Sequence, residues 1–346
     1  MNARALATIA LALTCCAKTT ATTDAGDAAI AERDAADESS SPASDGATAD
    51  AGNVVTYTRG AATQSDRCPA NRACAAGVVA PDRVTTCGTI TLDGQRIEVP
   101  APITDGASAE DLYDTCTRQG VVSDYESRLP TVVVDPDGEL VTGYLFADNY
   151  FELFVNGQFV AKDSLGFTPF NASVVRFRAR YPMTIAVSLV DWEGVLGVGV
   201  ESRNGAAHIG DGGFIAVFSN QTSTDAQWRC RPMYVAPLDD PSCLAIDRDG
   251  ITDSSACPST DSAVRCVSNQ PERSCLAAHG AIPSGWAAPG FDDSRWPAAT
   301  IYDAARVTND PAYTSFANTL LAPGRFIWSR NLDLDNHVLC RRTVVR

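Results

Sequence analysis

The sequence predicts an all-β protein built as an antiparallel β-sandwich, and three observations carry that expectation. Eight short apolar segments follow one another between Thr131 and Ser219: "TVVVD", "ELVTGYLF", "YFELFV", "QFVAKD", "SVVRFRAR", "TIAVSLVDW", "GVLGVGVE" and "GFIAVFS". Each is rich in β-branched or aromatic residues and is bounded by Gly, Asn, Asp or Pro, the pattern of strands separated by turns. Long helical periodicity is missing from the same region, which argues against a wound α/β sheet. The cysteines lie on either side of a cysteine-free middle, 117–229, so the middle reads as a self-sufficient core and its flanks as loop-rich pieces that need stapling. With 346 residues, 45% of them hydrophobic, the chain has enough apolar surface for a sizeable core.

The chain opens on "MNARALATIALALTCC": Arg4, an apolar run from Ala5 to Leu13, then small residues before Cys15 and Cys16. That is the layout of an export signal, and about ten apolar residues are too few to span a bilayer. The end of the run looks like a bacterial lipoprotein signal, with Leu13 three positions before Cys16, although Cys15 takes the usual small-residue place. A lipid anchor on residues 1–16 is therefore expected, with ordinary secretion as the alternative. Residues 19–52 hold one Arg against eight acids and no aromatic, so 17–53 read as a solvated acidic linker that cannot offset its ordering entropy. Part of the net charge of −15 belongs to this arm. The remainder is still acidic, which excludes nucleic acid and anionic membrane surfaces as partners and leaves the lipid anchor as the only route to a membrane.

Residues 54–128 read as a small disulfide-tied unit. "TTCGTITLDGQRIEVP" alternates on both sides of "LDGQ" as a hairpin does, and "GASAEDLYDTCTRQ" predicts a short helix entered through Ser108. After the signal pair ten cysteines remain, with Cys68, Cys74, Cys87 and Cys116 early and Cys230, Cys243, Cys257, Cys266, Cys275 and Cys340 late. Even numbers in each group point to disulfides formed in an oxidising compartment, with pairing inside each group left open. Zinc is disfavoured, because the spacings are irregular and His208, His279 and His337 stand apart.

In the middle, Phe151, Leu153 and Val155 point one way along a strand and Glu152, Phe154 and Asn156 the other. The dipeptide Asn156-Gly157 is the pair a tight primed turn requires. The stretch "DNYFELFVNGQFVAKDSLGFTPFN", followed by "TIAVSLVDW", resembles the sugar-binding jelly-roll domains attached to family-2 β-glycosidases and to rhamnosidases, the galactose-binding-like fold. "GWAAPGFDDSRWPAAT" at 285–300 and "RFIWSRNLDLDNHVLCRRT" are similar to further segments of those domains, but in the family-2 enzymes the first of these precedes the hairpin and here it follows it. The resemblance covers about half the chain. It implies an antiparallel jelly-roll β-sandwich made of 129–229 and 284–346, its order rearranged, with 230–283 as a cysteine-rich insertion; chain ends that lie close together permit such a rearrangement. Within "FDDSRW", Asp292, Asp293 and Ser294 read as turn caps, and Trp296 with Pro297 as the lock against the sandwich, which makes the element architecture rather than a sugar contact.

Carbohydrate recognition needs an aromatic face and polar groups for hydroxyls, presented on loops at one end of a sandwich. The candidates are Asp148, Asn149 and Tyr150 ahead of the hairpin, Asp191, Trp192 and Glu193 after the long apolar strand, and "HIGDGG" at 208–213. Asp191 and Glu193 also invite a glycoside hydrolase reading, with Cα atoms about 6.6 Å apart on an extended strand. An i, i+2 pair points both carboxylates the same way instead of across a scissile bond, so catalysis is disfavoured. No nucleophile elbow, zinc-protease motif, Walker loop or dinucleotide fingerprint occurs. "DRDGITDSSACP" at 247–258 resembles one calcium-binding repeat of the thrombospondin type-3 kind, which implies calcium on Asp247, Asp249 and Asp253; a plain disulfide loop with exposed acids is the alternative. Two function classes remain: a non-catalytic carbohydrate-binding or adhesive surface protein, and a structural or protein-interaction protein of the envelope. A shallow loop-end groove carrying a solvent-exposed aromatic beside Asp or Asn would favour the first, and a closed, flat loop end with Trp192 buried the second.

Overall fold

A strand whose two faces are both apolar demands a cover on each side, and "MTIAVSLV" is such a strand. In the computed structural model it runs from Met183 to Val190 with every residue buried. The structure describes residues 55–59, 63–64, 67, 87–92, 95–114, 119–120, 122, 124–166, 170–195, 198–203, 206–268 and 271–346. The expected signal, the linker, and Cys68, Cys74 and Cys116 lie outside these residues.

Fourteen described strands build two large sheets, each with seven of them. In chain order they are β1 (Thr56–Arg59), β2 (Glu110–Asp111), β3 (Val132–Val133), β4 (Glu139–Asp148), β5 (Tyr150–Val155), β6 (Gln158–Lys162) and β7 (Ala172–Ala179). There follow β8 (Met183–Val190), β9 (Gly213–Phe218), β10 (Arg229–Leu238), β11 (Leu276–His279), β12 (Thr300–Tyr302), β13 (Phe326–Trp328) and β14 (Asp335–Val344). The first sheet has the order β1-β11-β10-β14-β8-β5-β6 and the second β12-β13-β9-β4-β7-β2, with β3 added to β7 in parallel. All other pairings between these strands are antiparallel. The protein is thus an antiparallel β-sandwich.

Between the sheets lies one apolar core. Phe151, Leu153 and Val155 from β5 and Ile185, Val187 and Leu189 from β8 meet Leu145, Phe177, Phe214 and Phe218 of the facing sheet. Phe151 is fully buried and contributes about 2–3 kcal/mol by that burial. The tail strand β14 sits between β8 and β10, so the end of the chain completes the middle of the first sheet.

Asn156 and Gly157 have φ of 49° and 83°, the left-handed pair expected of the turn between β5 and β6. Asn156 is also hydrogen-bonded: its Oδ1 accepts from the Thr184 amide at 2.8 Å, and its Nδ2 donates to Asp135 and to the Arg180 carbonyl. Asn156→Ala therefore loses both the tolerance of positive φ and these bonds. Its expected cost is about 2 kcal/mol in urea unfolding, whereas Asn156→Gly, which keeps the backbone freedom, costs less.

Three expectations are corrected. Among the described residues no helix follows Ser108: Glu110–Asp111 is a strand on the edge of the second sheet, and Ala109 and Leu112 donate their amides to the carbonyls of Lys162 and Ala172. Pairing with an available sheet edge outweighed a short helical pattern, and N-terminal residues thereby supply an edge strand to each large sheet. "GVLGVGVE" is not one strand, since a turn at Val198–Gly199 precedes the strand Val200–Arg203. The ends of the cysteine-rich stretch 230–283 are sheet strands, β10 and β11, so only its centre loops out. Cysteine density had masked the apolar run "RCRPMYVAPL".

Disulfides join Cys230 to Cys340, Cys243 to Cys257 and Cys266 to Cys275, all within the late group, and Cys87 is also bridged. These bonds are compatible with an extracellular location. Among the described residues, no helix is long and apolar enough to cross a membrane.

Candidate functional site

The six residues nominated for a ligand do come together, but inside the protein. Asp148, Asn149 and Tyr150 end β4 and begin β5, while Asp191, Trp192 and Glu193 follow β8. Each is at most 5% exposed. Asn149 Oδ1 accepts from the Trp192 amide at 2.7 Å, and the rings of Tyr150 and Trp192 stand 5.6 Å apart. Tyr150 and Trp192 pack with Cys87, Ala101 and Ile103 of the N-terminal segment, which covers them. Neither aromatic face is available for stacking on a sugar.

The same segment explains Glu152, on the outer face of β5. Its carboxylate accepts from the Thr104 amide at 2.7 Å, from the Thr104 hydroxyl at 2.5 Å and from the Tyr150 hydroxyl at 3.2 Å. Burial raises its pKa despite these bonds. Its role is to fasten the N-terminal cover.

The carboxyls beneath this end form a buried acidic group. Burial drives Asp191 well above the ordinary carboxylate range, and Glu201, Asp148, Asp211 and Glu193 add to the shift by like charge. Glu193 is pushed up to about 7 by burial, against hydrogen bonds from the Val198 and Gly199 amides. Asp191 and Glu193 are both closed to solvent.

Above these acids the surface opens. His208, Ile209, Gly210, Asp211, Ser259, Thr260, Asp261, Arg306 and Asp333 surround a depression of about 300 Å³. His208 and Ile209 end the strand Ala206–Ile209, and residues 208–211 of "HIGDGG" form one wall of the depression. Asp261 fixes that wall: Oδ2 lies 2.7 Å from His208 Nδ1, and Oδ1 accepts from the Ile209 amide at 2.7 Å. Arg306 pairs with Asp333 and lies 3.5 Å from Asp211. The glycine floor is required, because a Cβ on Gly210 would stand 2.4 Å from Asp191 Oδ2. Asp261, Arg306 and Asp333 carried no local sequence signal, since their neighbours in the wall are far away along the chain.

The three acids proposed for calcium are engaged by protein groups, and Asp247 and Asp249 share Arg295 at 3.9 and 2.8 Å. Asp247 Oδ1 caps its own turn, accepting from the amides of Asp249 and Ile251 at 2.8 and 2.9 Å. Asp249 pairs with Arg295 at 2.8 Å, and Asp253 pairs with Arg330. Among the described residues no group of three His, Cys, Asp or Glu is placed to hold a metal ion. Asp247 and Asp253 instead line a second cavity of about 370 Å³, at the seam between the cysteine-rich loops and the sandwich.

Asp335 lines that seam. It accepts from the hydroxyls of Ser254 and Ser329, and burial pushes it up to about 7. The folded protein therefore holds this proton up to about pH 7, whereas the unfolded chain releases it near pH 4. Stability from this group falls as pH rises across that window. His337 and His279, lowered by burial to about 3 and about 4, work in the opposite sense, destabilising the fold on acidification below about pH 6.5. Asp335→Asn removes only the first contribution, so its deficit in melting temperature should be larger at pH 5 than at pH 8. An equal deficit at both would refute the assignment.

The chain matches no protein-family model, no curated protein and no solved structure.

Proposed function

We propose that this chain is a non-catalytic carbohydrate-binding protein, exported and held at the cell envelope by an N-terminal lipid anchor. Its ligand sits in the depression formed by residues 208–211, 259–261, Arg306 and Asp333. One observation carries the reading: the loop-end opening is walled by imidazole, guanidinium, carboxylate and hydroxyl groups, the donors and acceptors that sugar hydroxyls require. Such a surface holds hydroxyls by hydrogen bonds rather than rings by stacking. The sugar contact moves accordingly from Tyr150 and Trp192 to the depression, at the same end of the sandwich.

A glycan array on the folded protein, with calcium present, tests this. Binding that is lost in Asp261→Asn, which removes an anionic charge from the wall, supports it; failure to retain any glycan defeats it. The burial of Trp192 and Tyr150 favours a second reading, a protein-interaction module of the envelope without sugar binding. Under that reading Asp261→Asn leaves partner capture unchanged while the array stays blank.

A further inference from the structure

The N-terminal cover over Tyr150 and Trp192 is fastened by side chains at one point. Residues 100–106 run without regular structure between two anchored ends: the strand Gln95–Val99, paired in a hairpin with Gly88–Leu92, and β2, which belongs to the second sheet. Among the described residues no main-chain group from Pro100 to Gly106 bonds to another main-chain group. Side chains hold the segment instead, and they converge on Thr104. Its amide and hydroxyl donate to the Glu152 carboxylate at 2.7 and 2.5 Å, and its carbonyl accepts from Lys162 Nζ at 3.0 Å. Ile103 adds two such bonds, its amide donating to Glu98 at 3.2 Å and its carbonyl accepting from Arg67 at 3.0 Å. Pro102, Asp105 and Gly106 face solvent.

What lies beneath is only partly satisfied. Trp192 is 1% exposed, and its indole Nε1 has no hydrogen-bond partner. Glu152 is 2% exposed, and burial works against its charge. The closed segment keeps water from both groups, and a buried donor left unpaired is a cost that hydration removes. Apolar burial of Ala101 and Ile103 against the two rings opposes this. A segment that lacks a ladder and covers an unsatisfied donor belongs to the low-stability end of a fold.

We propose that residues 100–106 are a releasable strap, which lifts from the sandwich as a unit with both sheets intact and uncovers Tyr150 and Trp192. Thr104 is its catch. The strands at either end stay paired, so the opening is bounded and reverses. In the closed state the strap occupies the aromatic face itself and thereby competes with any external occupant of it.

Hydrogen exchange and indole oxidation on the full chain test this. The amides of Ile103 and Thr104 are expected to exchange at least about a hundredfold faster than those of β8 and β14, with almost no dependence on dilute urea, because a local opening exposes little surface. Trp192, Trp228 and Trp328 are all at most 1% exposed, but Trp228 and Trp328 belong to the core between the sheets. N-bromosuccinimide should therefore oxidise Trp192 ahead of those two, with the sites located by mass spectrometry. Thr104→Val keeps the volume and removes the hydroxyl bond to Glu152. It should raise strap exchange and Trp192 oxidation about tenfold, the worth of one hydrogen bond to a charged group, and leave β8, β14, Trp228 and Trp328 unchanged. Strap amides as slow as those of β8, a Trp192 as resistant as Trp228, or a Thr104→Val effect that reaches strap and core alike would each overturn the proposal, since the cover would then open only with the whole fold.

Discussion

Replacing Cys230 and Cys340 together by alanine is expected to lower the unfolding free energy by about 4–5 kcal/mol, more than the loss of either of the two short bridges. The two cysteines face each other across the pairing of β10 with β14 and are buried to 1% and 0% exposure. Their separation along the chain is 110 residues, against 14 for Cys243–Cys257 and 9 for Cys266–Cys275. In the chain-entropy account, a closure of that length restricts the unfolded state by about 4.7 kcal/mol and the short ones by about 3. The long bridge also ties the tail strand to the centre of its sheet, where β14 supplies ladder bonds to both neighbours. Urea unfolding of the double variant, beside the two other bridge deletions, checks the ranking. A loss no larger than that of Cys266→Ala/Cys275→Ala would show that the ladder alone holds the tail.

Arg341→Met should cost about 3 kcal/mol, while Asp293→Asn should cost about 1. The Arg341 side chain is wholly buried. Its guanidinium pairs with Asp293 at 2.9 Å, donates to the carbonyls of Phe291 and Ala288 at 3.2 and 2.8 Å, and lies 5.0 Å from the centre of the Phe291 ring. Removing it deprives two backbone acceptors and a carboxylate at once, and breaking a buried pair by deleting one partner is among the costlier substitutions. Asp293 is 24% exposed, so water replaces part of what its loss forfeits. Guanidinium unfolding of both single variants and the double gives the coupling between them. A coupling near zero would show that the carbonyls, not the carboxylate, hold Arg341 in place.

That pair also shows how far "FDDSRW" was legible. Asp292 caps the turn as expected, accepting from the Ser294 amide at 2.9 Å, and Trp296 is buried beside Phe291. Asp293 belongs instead to a strand 48 residues away, and nothing adjacent to it announced Arg341. The Asn156-Gly157 turn was readable because its cause is local: a left-handed backbone admits few residue types. Glu152 was not, because its partner Thr104 lies on a segment whose path depends on the whole sandwich. Trp192 failed for the same reason. Alternation along a strand tells which residues share a face, and it does not tell what covers that face.

From its residues alone this chain was bound to be a stapled antiparallel β-protein, since strand length, turn chemistry and cysteine parity act over a few positions and leave few alternatives. The tertiary structure alone decided where anything can bind. It buried the aromatic pair under the N-terminal segment, tied the acids of 247–253 to a turn and to Arg248, Arg295 and Arg330, and assembled the open depression from stretches up to Asp333. Burial and charge density are sums over neighbours in space, and those neighbours are chosen only when the sheets close.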